Sequence, residues 1–190
     1  MARYGKEHKD ATRQRIVESA GRRFKQGGID GSGIATLMAD VGLTNGAFYA
    51  HFDSKDDLVA TVVADEVRAQ ARAISALPAG KAGIEQFIRD YLSPEHRDNA
   101  AVGCPSAALL DEIVRTDDAA RQGYTAGAAS IIDEIASRLT PRNPMAGRGR
   151  AIGLFALLVG TLQLSRALAD PDLSLEVLER GIENAGTFLR

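Results

Sequence analysis

His96 and Cys104 stand eight residues apart and form the pair from which a thiol nucleophile and an imidazole base could be assembled. Such a pair also needs a third group to orient the base, and the sequence signals none. His8, His51 and His96 have no metal-ligand spacing, so neither a metal nor another cofactor is expected. Cys104 has a second chemistry open to it. It precedes Pro105, a residue suited to the first position of a helix, and a thiol at a helix N-terminus can respond to redox change or electrophiles. With no other cysteine in the chain to resolve it, an inert buried thiol is the expectation. No enzyme is expected; a small hydrolase using Cys104 is kept as an alternative.

A denser grouping lies earlier, in "GLTNGAFYAHFDSK", Gly42 to Lys55, where Phe48, Tyr49, His51 and Phe52 fall within five residues. The elements around it decide its meaning. A first helix is expected from Ala11 to about Gln26, capped by Asp10 or Thr12, with Ile16, Val17, Ala20 and Phe24 on one face and Gly27-Gly28 behind. Ser32 then caps a short helix that turns Ile34, Leu37, Met38 and Val41 inward, and Gly42 ends it. Thr44 caps the next helix at once, which is the sequence form of two helices joined by a tight turn. Phe48 and Phe52, four apart, pack inward against Phe24 and Leu37. Asn45, Ala47, Tyr49 and His51 are left outside or along the edge, and Ser54 caps a further helix.

Thr12 to Ala60 resembles the DNA-binding region of TetR-family transcriptional regulators. The resemblance is carried by Ile16, Ala20, Phe24 and Gly28, by Val41-Gly42-Leu43-Thr44, Gly46, Phe48-Tyr49 and His51-Phe52, and by Ser54-Lys55. In a helix-turn-helix pair the second helix enters the major groove, and its first turn meets base edges. Thr44, Asn45 and Ala47 are therefore the base-reading candidates, with Gly46 allowing close backbone approach. The resemblance implies that Tyr49, His51 and Lys55, with Ser32 and Thr36 from the preceding helix, hold phosphates. Arg3, Lys6, His8 and Lys9 read as a flexible basic arm. The family often carries a basic residue where this chain has Asn45.

Charge agrees with that reading. Residues 1–55 hold nine Lys or Arg against six Asp or Glu, while the whole chain has a net charge of −2, so the front is basic and the back acidic. At 45% hydrophobic and 25% charged residues the chain is globular rather than disordered. The polar start and single cysteine point to a reduced, intracellular setting, the resemblance implies the bacterial cytoplasm at the nucleoid, and the apolar run Ala151–Leu164 is shorter than the roughly 20 residues of a bilayer span.

Beyond Ala60, helical periodicity predicts helices over Lys55–Ala76, Gly83–Leu92, Pro105–Arg115, Asp118–Leu139, Gly147–Ala169 and Asp172–Leu189. The expected fold is all-α: a three-helix helix-turn-helix DNA-binding domain, 1–54, and a helical ligand-binding and dimerisation domain, 55–190. The helix over Ala151–Leu164 is apolar nearly all round and the last helix is apolar at coiled-coil-like spacing, so a four-helix homodimer interface through Phe155, Leu158, Leu162, Leu175, Leu178, Ile182 and Leu189 is expected. The family pattern further implies a pocket for a small-molecule effector, with Phe87, Tyr91, Cys104, Leu109, Tyr124 and Phe155 as candidates. The expected function is a repressor that leaves a palindromic duplex operator when the effector binds. A helical interaction module without DNA binding is the second alternative.

Overall fold

The computed structural model describes residues 2–189, with side chains from Glu7 to Leu189, and the described residues are helical without a strand. Helix α1 spans Ala2–Gly27. It begins nine residues before the expected start at Ala11, because residues 2–10 hold no proline and are mostly good helix formers. Thr12 is buried on its packed face instead of capping it. The expected flexible arm is thus the first turns of α1; His8 and Lys9 are exposed there, while the Arg3 and Lys6 side chains lie outside the described ones.

Helix α2, Ile34–Ala39, is only six residues long and would not stand alone. It is held by a core of Ile16, Phe24, Leu37, Phe48, Phe52, Leu58 and Val62. Each large side chain buried there contributes about 1.5–3 kcal/mol, enough to fix short elements that propensity would leave frayed. After α2 the chain turns through Gly42 at φ +73°, a left-handed position, and the Leu43 N–H returns to the Met38 carbonyl at 2.9 Å. The next element, Asn45–Ala50, is a 3-10 segment rather than the expected α-helix over Thr44–Phe52.

Helix α3, Lys55–Ser75, starts at the expected residue, its first turn capped by Ser54 Oγ on the Asp57 N–H at 3.1 Å. Helices α4 (Lys81–Tyr91), α5 (Pro94–Asp98), α6 (Pro105–Ile113), α7 (Asp118–Leu139), α8 (Pro144–Ala167) and α9 (Pro171–Ala185) follow, with 3-10 turns at Ala100–Val102 and Gly186–Leu189. Among these, α5 and the turn at Ala100–Val102 have no counterpart in the sequence reading.

A second core joins Val67 and Ile74 of α3 to Ile84 and Ile88 of α4, Ile131 and Ile135 of α7, Leu154, Leu158 and Leu162 of α8 and Leu178 of α9. The two cores meet along α3 and α6: Leu58 and Val62 of α3, with Leu109 and Ile113 of α6, belong to the first. Helix α8 has 24 residues, longer than its charge-free run, and is long and apolar enough by length and composition to cross a membrane. Its apolar character has a visible cause. Ala151, Leu154, Leu158 and Leu162 are fully buried between neighbouring helices, and Ile152 and Leu164 add an exposed apolar face.

Candidate nucleic-acid interface and effector cavity

The interface is built from α2, the Gly42 turn and the 3-10 segment. Phe48 and Phe52, 0% and 2% exposed, anchor the segment, with their rings 5.5 Å apart. Thr44, Asn45, Gly46 and Tyr49 are exposed beside Thr36 of α2, and Ala47 and His51 are half-buried at the edge. Tyr49 is 64% exposed, braced edge-on against Phe48 at 5.3 Å. An aromatic so placed contributes little to the core. Thr44 begins the segment but its side chain caps nothing, so the hydroxyl remains available outward.

Ser32 differs from its expected role as a cap, and Lys55 makes a contact within the chain. Ser32 is 1% exposed and donates to the Gly28 carbonyl at 2.8 Å, and Gly33 takes the cap position of α2. Its hydroxyl is a latch inside the α1–α2 turn and does not reach a phosphate. The Lys55 ammonium donates to the Ile29 carbonyl at 2.7 Å, holding the same turn from below. Sequence reasoning missed Arg13, which lies 4.5 Å over the Phe52 ring and donates to Thr61 at 3.2 Å. Its place four residues after Lys9 on α1 was the available signal. Both cations act on His51, whose pKa is held below the ordinary histidine value first by burial, then by Lys9 and Arg13. His51 Nδ1 is buried without a partner. Positive groups and a half-buried imidazole therefore fringe the exposed edge, an arrangement suited to phosphate.

The candidate pocket residues divide among three places. Phe87, Tyr91 and Cys104 line one cavity of about 390 Å³ between α3, α4 and the start of α6. Leu109 lies in the first core, on the far side of α6. Tyr124 and Phe155 line a separate open groove of about 420 Å³ on the α6–α7–α8 face. In the first cavity Phe87 and Tyr91 stack edge to face at 5.5 Å, and Tyr91 and His96 at 4.8 Å. Burial, with the Cys104 side chain close beside it, raises the Tyr91 hydroxyl well above its ordinary pKa. Cys104 caps α6 ahead of Pro105 and donates its thiol hydrogen to Gln70 Oε1 at 3.2 Å.

The geometry does not make His96 a base for that thiol. Its Nε2 accepts the Cys104 backbone N–H at 2.9 Å, and its Nδ1, 2.7 Å from the Tyr91 carbonyl, must donate there. Burial keeps the ring below its ordinary pKa, consistent with a neutral imidazole whose two nitrogens serve the backbone.

Two links tie this cavity to the interface. Glu112 of α6 accepts the Ile29 and Asp30 N–H groups at 2.6 and 3.1 Å. Lys25 of α1, 8% exposed, donates to Glu66 at 2.6 Å and to the Gly103 carbonyl at 3.3 Å. Of the expected dimer residues, Leu158, Leu162 and Leu178 are 0%, 0% and 2% exposed and belong to the protomer core. Phe155 is buried beside the open groove, Ile182 and Leu189 are half-buried, and Leu175 is exposed with Ile152, Leu164 and Leu173. Periodicity alone missed that division, because α8 and α9 are apolar both inward and outward.

An anchored recognition segment, a cationic fringe and a helical body linked to both define a helix-turn-helix DNA-binding regulator. Residues 16–62 match the model of the bacterial regulatory proteins, tetR family. That stretch carries the TetR-family match. It is 28% identical over 139 residues to the HTH-type transcriptional repressor AcnR of Corynebacterium diphtheriae, covering 73% of this chain and 68% of that one. To the HTH-type transcriptional regulator AcrR of Shigella flexneri it is 37% identical over 62 residues, covering 33% of this chain and 29% of the relative. The fold is shared with the reduced form of NemR from E. coli, at a TM-score of 0.79 with 18% identity, over 93% of this chain and 96% of that structure.

Proposed function

We propose that the protein is a homodimeric repressor that binds a palindromic operator and leaves it when a small molecule fills the α3–α4–α6 cavity. The observation that carries this reading is the exposed edge from Thr44 to Tyr49, held rigid by buried Phe48 and Phe52. Thr44, Asn45 and Ala47 read base edges, Gly46 admits the DNA backbone, and Tyr49, His51 and Thr36 hold phosphates together with Lys9 and Arg13. One such segment covers too few base pairs for a specific site, so two copies on a symmetric operator are needed. The exposed apolar residues of α8 and α9 supply the surface for pairing.

In this reading residues 1–54 are the DNA-binding domain and 55–190 the effector-binding and dimerisation domain, joined through α3 and α6. The protein works in the cytoplasm, on the bacterial nucleoid. An occupied cavity favours a state in which α3 and α6 carry the two heads out of half-site register. The test is selection from random duplex DNA at near-physiological salt. An enriched palindrome that Tyr49→Ala fails to select supports the reading; absence of enrichment, or enrichment indifferent to Tyr49, contradicts it.

A further inference from the structure

We propose that the buried Lys25–Glu66 pair sets the half-site spacing of the operator, by fixing the tilt of the DNA-binding head on the body without touching DNA. This rests on the reading of two heads on one palindrome and names residues that decide which palindromes fit. Along α3 the first core ends at Val63 and the second begins at Val67, so Glu66 stands at the seam between head and body. There its carboxylate meets the Lys25 ammonium of α1 at 2.6 Å, with side chains 22% and 4% exposed for Glu66 and Lys25. The same ammonium donates to the Gly103 carbonyl at 3.3 Å, on the turn before α6. That turn is itself held in place. The Cys104 N–H donates to His96 Nε2 at 2.9 Å, and Arg166 donates to the His96 and Arg97 carbonyls at 2.7 and 3.0 Å. One cation of the head thus joins the seam of α3 to a fixed shelf of the body.

Apolar contact is non-directional and keeps head and body together without fixing their angle, whereas charge-assisted hydrogen bonds specify direction. Glu112 supplies the other polar fastening, at the Ile29 and Asp30 amides. Gly103 and Glu112 bracket α6 and lie about 12 Å apart at the helical rise. One fastening leaves a hinge, and two define an angle. Gly21 is part of the device: a Cβ there would collide with Glu66 Oε1, so the carboxylate reaches Lys25 across a gap that glycine leaves open. Lys25 is too buried to meet a phosphate and Glu66 would repel one, so neither reads DNA directly. Their effect on the operator is through position. Helix α3, with 21 residues, is an arm of about 30 Å. A tilt of about 3° in each head on that arm changes their separation by about 3 Å, close to one base-pair step.

Binding of the full chain to duplexes carrying its selected half-sites, with the spacer shortened or lengthened by one or two base pairs, tests this. Wild type should lose about 10-fold for a one-base-pair change, the scale of a mismatched pair in a specific site. Lys25→Met with Glu66→Met replaces the pair by apolar chains, an exchange that buried ion pairs ordinarily tolerate without loss of stability. The double variant should keep its Tm and its affinity for a single half-site, and should bind all spacers within about twofold of one another. Gly21→Ala, which pushes the carboxylate off Lys25 while favouring the α1 helix, should flatten the preference in the same way. A folded double variant, or a folded Gly21→Ala, with the wild-type spacer preference overturns the proposal and leaves the operator reading standing. Unfolding of both variants, or loss of single half-site affinity in both, makes the pair part of the head's own fold and also overturns it. A wild type that selects no palindrome, or binds every spacer equally, overturns the proposal and the operator reading together.

Discussion

Gly46 sits in the recognition segment with negative φ, and a Cβ added there meets no atom of the chain within 4 Å. The fold therefore has no need of glycine at this position, whereas a DNA backbone approaching the segment does. Gly46→Ala should leave thermal stability unchanged or slightly raised, since alanine stiffens the unfolded chain by about 0.4–1 kcal/mol, and should lower duplex affinity. Unchanged affinity would remove Gly46 from the interface. His51 gives a pH prediction. In the free protein burial and the nearby Lys9 and Arg13 hold its pKa below the ordinary value, disfavouring the charged form. A phosphate against the ring would favour that form, so binding takes up a proton and affinity rises as pH falls from about 8 to about 6. The rise should be about threefold to tenfold, the scale of a shift of up to one unit, and His51→Gln should flatten it. A profile identical in wild type and His51→Gln would place no phosphate at His51.

At the scale of elements, α6 joins head and body. Its first residues border the cavity at Pro105, and Glu112, seven residues on, caps the Ile29 and Asp30 amides. Glu112→Ala strands two amides and should cost about 1–3 kcal/mol, read as a lower Tm, with amide exchange accelerated at Ile29 and Asp30 before the body. Equal exchange throughout would mean that α6 does not hold the turn. The sequence made some elements plain and hid others. Helix α3 was legible from Ser54 and its acidic first turn, and α7 from an unbroken run over Asp118–Leu139. Local chemistry settles those ends. Helix α5 is too short to show a period, and the 3-10 winding of Asn45–Ala50 is fixed by Phe48 and Phe52 against a distant core. The site divides in the same way. Tyr49 could be placed outside from its spacing with Phe48. The burial of Ser32, the bond from Lys55 to Ile29 and the separation of Leu109 from Tyr91 depend on packing between helices remote in sequence.

At the scale of the molecule, reading a palindrome requires two heads at a fixed separation, and α8 and α9 must provide the pairing surface. Ile152→Asp together with Leu175→Asp, at positions 48% and 40% exposed, should leave the protomer folded and shift sedimentation from dimer to monomer. Persistence of the dimer would move the interface elsewhere. The central claim is that the edge from Thr44 to His51, with its α1 fringe, is where duplex DNA lies. Hydrogen–deuterium exchange of the full chain, with and without its selected duplex, tests it most directly. New protection is expected over residues 9–13, at Thr36 and over 44–51. Protection confined to the α8–α9 face, with that edge exchanging as in the free protein, would contradict it.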